Sequence, residues 1–231
     1  MAMPETKDTS GPGQANRDSA PPARDMGPAA QQPPQGGGGK KAEVYDYTYF
    51  SSLPEGMPVE LIDGQVFSLS PASNYRHQRI GGFIFRKLGN YLEEKDAEVF
   101  YAPYDIFLIN DGQAITECKN IVHPDIVVIS DKKKLLEKGY KGAPDLIIEI
   151  VSQSTKNRDY IQKLNLYNTY GVKEYWIVNP KSLTISVYKS DESGFSDTDI
   201  YTFNDKVKVN IFDDLEIDFS GLFTKIKNSG L

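Results

Sequence analysis

The sequence predicts an α/β chain of the α+β kind: a mixed sheet flanked by helices, with extra β-hairpin arms. Three observations lead there. Residues 125–129 and 145–151 are short, continuous, β-branched runs of the kind that form strands buried on both faces. A helical pattern at 156–170 separates the second run from a third at 174–178. Both ends of this unit carry short β segments broken by turn residues.

Up to Lys41 there is no aromatic residue, and the stretch is rich in Pro, Gly, Gln, Ala and Ser. So little apolar surface does not offset chain entropy, so residues 1–41 are expected to form a disordered tail and 42–231 a single domain. The domain opens with Asp63-Gly64 between apolar arms, a strong two-residue hairpin signal because both turn positions need positive φ. Pro71 and Ser73 then precede a helix over about 74–94, with Ile80, Ile84, Leu88 and Tyr91 at helical spacing. Strands follow at 98–104 and 105–109, a turn at Asp111-Gly112, and a return arm at 113–117. The two buried runs come next, separated by a charged loop or short helix at 131–138 that Gly139 ends. Ser152 to Thr155 supply N-cap candidates for the helix at 156–170, which Gly171 closes. After 174–178, Asn179-Pro180 turns the chain into a peripheral antiparallel layer at 184–188, 200–203 and 207–211.

Composition narrows the function. One cysteine, Cys118, excludes an internal disulfide and agrees with a reducing, cytoplasmic setting. One Cys and two His cannot build a structural zinc site of the usual ligand set within one chain. No apolar run approaches the ~20 residues of a membrane span. With a net charge of −6, any hold on nucleic acid must come from local patches or a metal ion rather than bulk charge.

The residue that carries most chemistry is Glu149, a carboxylate inside an aliphatic strand, which costs several kcal/mol unless a metal ion or a lysine pairs with it. Asp125 opens the preceding apolar run. Two carboxylates at comparable levels of adjacent strands suit a hard cation, Mg²⁺ or Mn²⁺, that keeps water for hydrolysis. Asp145 competes with Asp125 for this role. It lies four residues from Glu149 along one strand, about 13 Å at ~3.3 Å per residue, too far to share a small ion, and reads better as a strand-entry residue.

The order Pro124-Asp125, Glu149 one strand later, then a helix with Lys163, resembles the PD-(D/E)XK nuclease superfamily. Several further pieces are similar to the Uma family of restriction endonucleases within it: Glu60 to Gly64, His77, Gly142 to Ser152, Ser154-Thr155, Asp159, Tyr167 and Gly171 to Trp176. The resemblance spans roughly 51–188. It implies a restriction-endonuclease-like fold, a metal-dependent endonuclease activity on nucleic acid (DNA in the first instance), and a site of Asp125, Glu149, Lys163, His77 and Glu60. One position departs from the simplest pattern, since Val151 stands where a lysine would follow Glu149 by two residues. Lys163 replaces it if the helix packs beside the strand; otherwise it forms an i,i+4 ion pair with Asp159. Glu60 reads as an acidic site residue or an exposed strand glutamate, and His77 as a phosphate-side donor, a proton carrier or a satisfied core group. Lys132 to Lys134 read as a solvated face rather than a phosphate contact, and Tyr160, Tyr167 and Tyr170 as core packing rather than base-stacking rings. The alternative is a catalytically weak nucleic-acid-binding module, or a dimeric interaction module, on the same fold; a homodimer is compatible with either.

Overall fold

The computed structural model describes residues 43–69, 74–152 and 155–227. The tail expected over 1–41 lies outside them, as do Pro71, Ser73, Gln153 and Ser154. A short helix α1 (Tyr47–Ser52), capped by Asp46, precedes the hairpin of β1 (Val59–Ile62) and β2 (Gln65–Ser68). Its turn has φ of 51° at Asp63 and 73° at Gly64, as the Asp-Gly signal requires. Helix α2 (Tyr75–Leu92) starts at Asn74, whose side chain accepts from His77 N, and buries Ile80, Ile84, Leu88 and Leu92. Strand β3 (Glu98–Tyr101) stops before Pro103, which has no amide to donate to a ladder. Then come β4 (Ile106–Phe107), β5 (Ile121–Val122) and β6 (Ile126–Ile129).

The return arm expected at 113–117 is instead a 3₁₀ turn, Ile115–Glu117, closed by Cys118 N donating to Ile115 O. The chain returns one step later, in β5. The charged segment at 131–138 holds a 3₁₀ turn, Lys132–Lys134, leading into β7 (Leu135–Leu136), which pairs with β8 (Gly139–Lys141). Strand β9 (Leu146–Ile150) follows. The next helix begins near Lys156, passes through a π-helical turn, Arg158–Lys163, and continues as α3 (Leu164–Tyr170), ending at Gly171 with φ 78°. Then follow β10 (Glu174–Asn179), β11 (Thr184–Asp191), the long edge strand β12 (Gly194–Thr202), the pair β13 (Lys206–Lys208) and β14 (Glu216–Asp218), and α4 (Ser220–Lys227).

Two six-stranded sheets result, ordered β2-β1-β5-β4-β8-β7 and β12-β11-β10-β9-β6-β3. In the second, β9 and β10 are parallel and the remaining pairs antiparallel, so the sheet is mixed. Alternation along β9 sends Leu146, Ile148 and Ile150 to a core shared with α2 and α4, and Ile147 to a core shared with α3 and the first sheet. No described helix is long and apolar enough to cross a membrane.

Candidate active site

Glu149 takes the Ile147 side of β9, facing the helical segment that joins β9 to β10. It is 5% exposed, so its carboxylate must be satisfied within the protein. Lys163 Nζ donates to its Oε1 at 2.7 Å and Tyr167 Oη to the same oxygen at 2.9 Å. Lys163 and Tyr167 stand one helical turn apart, which brings both onto one carboxylate. The π-helical turn buries Asp159 and Lys163 together, and such local widening recurs where a helix carries function.

A second carboxylate reaches the same ammonium from the other sheet. Glu60 in β1 is 0% exposed; its Oε1 lies 2.7 Å from Lys163 Nζ and accepts from His123 N at 3.0 Å, while Oε2 accepts from Arg158 Nη1 at 3.1 Å. Lys163 therefore ties the two sheets together. Its i,i+4 contact with Asp159 is the longest of its ion pairs, at 4.0 Å.

Asp125 stands beside the end of β9 because the register pairs Ile126 with Ile148. Its Oδ2 accepts from Ile150 N at 2.7 Å and lies 3.2 Å from His77 Nε2. His77 Nδ1 is buried with no hydrogen-bond partner among the described residues. Across the strand, His123 Nε2 lies 2.8 Å from Asp105 Oδ1, close enough for an ion pair but out of line for a hydrogen bond. His77, His123, Asp125, Glu149, Asp159 and Lys163 all line one cavity of about 880 Å³, with Glu60 behind them.

Burial raises the Glu149 carboxyl well above the usual carboxylate range; Lys163 opposes this, and Asp159, Asp125 and Glu60 add to it. Asp159 moves up for the same leading reason. Burial also acts to raise Glu60, but Lys163 outweighs it and the net shift is downward. For Lys163, burial works against the charge, yet Glu149, Glu60 and Asp159 overcome it and hold the ammonium firmly protonated. Burial pulls His77 down, and its contact with Asp125 more than reverses the shift.

The donors suit a hard cation in one specific sense. Glu60, Asp125, Glu149 and Asp159 outnumber the two permanent cations, Lys163 and Arg158, so a dication would offset the negative charge that adds to burial in raising Glu149. Asp125 and Glu149 provide oxygen ligands only, as Mg²⁺ or Mn²⁺ prefers. Among the described residues no group of three or more His, Cys, Asp or Glu side chains converges as a metal cage, so the fit is that of two carboxylates completed by water or substrate.

The structure thus brings together Asp125, Glu149, Lys163, Glu60 and His77, and separates Asp145, which accepts from Ser130 N and Lys173 at the entry to β9. Glu60 is buried rather than exposed. Tyr167, read as core packing, is in the core but also donates to Glu149. Lys132 and Lys134 are paired with Glu98 and Asp111 at the surface. Cys118 is buried, its thiol pushed up by burial and donating to Asn120 O, which accords with an inert residue. Arg158, His123 and Asp105 were missed. The only signal for the last two was nearness in sequence to Pro124-Asp125 and to β4, and for Arg158 its place beside Asp159.

Comparison with known proteins adds the following. Residues 45–220 match the profile of the Uma2 family, described as "Putative restriction endonuclease". "Uncharacterized protein slr1290" of Synechocystis sp. (strain ATCC 27184 / PCC 6803 / Kazusa) is 25% identical over 136 residues, which cover 58% of this chain and 67% of the relative. A solved structure, titled as a putative nuclease belonging to DUF820 from Anabaena variabilis ATCC 29413, superposes with a TM-score of 0.63 at 20% identity. The match covers 78% of this chain and 98% of that one, and it shows a shared fold.

Proposed function

The chain belongs to the Uma2 family, and on that premise we propose that it is an endonuclease hydrolysing phosphodiester bonds in DNA, with a divalent cation held by Asp125 and Glu149. The observation that carries this reading is Lys163 Nζ, 2.7 Å from both Glu149 and Glu60, which supplies from the helix the positive charge absent at Val151. Bound at the two carboxylates, Mg²⁺ or Mn²⁺ would polarise the phosphate and lower the pKa of a coordinated water. The chain's own groups have separable tasks. Because three carboxylates hold it protonated, Lys163 acts as a fixed charge that stabilises the phosphate in the transition state, and not as the base. Glu60, clamped by Arg158 and His123 N, fixes Lys163 from behind. Tyr167 fixes Glu149, and Ile150 N fixes Asp125. His77, with Nε2 on Asp125 and Nδ1 lacking a partner among the described residues, is placed to carry a proton.

A catalytically weak binding module would be favoured by a Lys163 distant from both carboxylates, and the short contacts give that reading no support. The test is incubation with duplex DNA, single-stranded DNA and RNA in Mg²⁺ or Mn²⁺, with EDTA as control. Metal-dependent cleavage of DNA is the expected result. Cleavage that ignores EDTA, or none on any substrate, would overturn the proposal.

A further inference from the structure

Beyond the carboxylates, the cavity of about 880 Å³ is walled by rings: Tyr47, Phe50, Tyr101, Tyr104, Phe107 and His123 line it. Its volume falls in the ~300–1,000 Å³ range of small-molecule sites. The rings are held in place by others. Phe100, which does not line the cavity, stacks on Tyr104 with centroids 4.5 Å apart and planes within 5°. Phe85 packs edge-on against Tyr101 at 5.7 Å, and Tyr47 against Phe107 at 5.6 Å. Phe50 lies 6.0 Å from His123, whose Nε2 has no hydrogen-bond partner among the described residues.

Rings fixed by their packing beside the proposed hydrolytic site suit a flat π-system with a polar edge. A nucleobase in a duplex has both faces covered by its neighbours and cannot enter a concave site unless it leaves the stack. The chain also carries a net charge of −6, so grip on a polyanion has to come from something other than bulk charge, and base–aromatic stacking is tolerant of sequence and independent of it.

We propose that this cavity is a pocket for an unstacked nucleobase, so that the preferred substrate is nucleic acid with unpaired nucleotides rather than fully paired duplex. The inference rests on the nuclease reading for its choice of ligand, and its test separates the two. Binding of the full chain is measured in EDTA to a single-stranded oligonucleotide carrying 2-aminopurine and to the same strand fully paired. The single strand is expected to bind at least about tenfold more tightly, with a change in 2-aminopurine emission on stacking. Tyr104→Leu keeps bulk but removes a ring and should weaken single-strand binding by about tenfold. Tyr47→Leu tests a second ring independently, should the first variant melt early. Equal binding of paired and unpaired strands, or no loss in either leucine variant, would overturn the pocket.

Cleavage in Mn²⁺ completes the separation. A protein that cuts paired duplex as fast as single strands, at rates unaltered in both variants, retains the nuclease reading and loses the pocket. One that binds single strands through Tyr104 but cuts nothing retains the pocket and loses the nuclease.

Discussion

Two glutamates are buried on the adjacent parallel strands β9 and β10, and they are satisfied in opposite ways. Glu174, 0% exposed, accepts from Trp176 Nε1 at 2.7 Å, Asn210 Nδ2 at 3.1 Å and Ile211 N at 2.9 Å. All three donors are neutral, and Glu174 does not line the large cavity. Glu149 accepts from a lysine and a tyrosine, is raised by burial first and by neighbouring carboxylates after it, and lines that cavity. Fixed neutral donors close a carboxylate off and make it a joint, here between β10 and residues 210–211. A buried carboxylate that lines a cavity among other carboxylates is where an added cation would relieve both desolvation and like-charge repulsion.

The largest expected effect falls on the lysine that separates the two situations. Lys163→Met strands Glu149 and Glu60 without their shared cation, and should lower apo stability by about 3–5 kcal/mol, read by denaturant unfolding. A variant as stable as the parent would mean the two carboxylates are protonated or solvated, and the contrast with Glu174 would fade.

Glu149→Gln should leave apo stability within about 1 kcal/mol of the parent, because Lys163 retains Glu60. It should instead abolish the stabilisation by Mg²⁺ or Mn²⁺, which for binding to the native state alone is about 2.7 kcal/mol at a hundredfold excess over Kd. A loss of several kcal/mol in the apo protein, with the metal shift intact, would make Glu149 a structural residue like Glu174. The mirror variant, Glu174→Gln, sets an amide against donors and should cost about 1–3 kcal/mol while preserving the metal-induced shift.

The phenols around Glu149 give a pH signature. Burial, with Glu149 next, raises Tyr167 and Tyr175 well above the ordinary value near 10. The folded state then keeps protons that the unfolded state releases, so stability is intact below pH ~10 and falls as pH rises beyond it, by up to about 1.4 kcal/mol per pH unit per phenol. Phenolate absorbance should show these two titrating only as the protein unfolds; early, reversible ionisation would count against their burial. The smallest effect is Tyr167→Phe, which removes one hydrogen bond to Glu149 and should cost about 0.5–1.5 kcal/mol by thermal or denaturant melting.

Much of this contrast was legible in advance, and for identifiable reasons. Asp63-Gly64 demands a hairpin because of its positive φ, Gly171 ends a helix for the same reason, and aliphatic runs at 126–129, 146–150 and 174–178 bury on both faces wherever they pair. The segments that were misread are short. Strands β5, β7 and β8 have two or three residues each, too few for a period, and they exist because a neighbour pairs with them. Helices α1 and α4 are too short for a helical spacing to set them apart from loop, although Asp46 caps α1.

By itself the sequence determined that Glu149 is a carboxylate in an apolar strand, that burial there demands a counter-charge, and that Asp125 begins the run before it. Those conclusions follow from local hydropathy and the cost of desolvating charge, which need no knowledge of neighbours. Only the tertiary structure decided who answers the demand. Lys163 meets Glu149 across 14 residues of chain and Arg158 meets Glu60 across 98. His77 reaches Asp125 from a helix earlier in the chain. Such partnerships depend on sheet register and on the π-helical turn that sets the lysine inward. The energy that selects them is summed over the whole packed core, so it is written in no single stretch of residues.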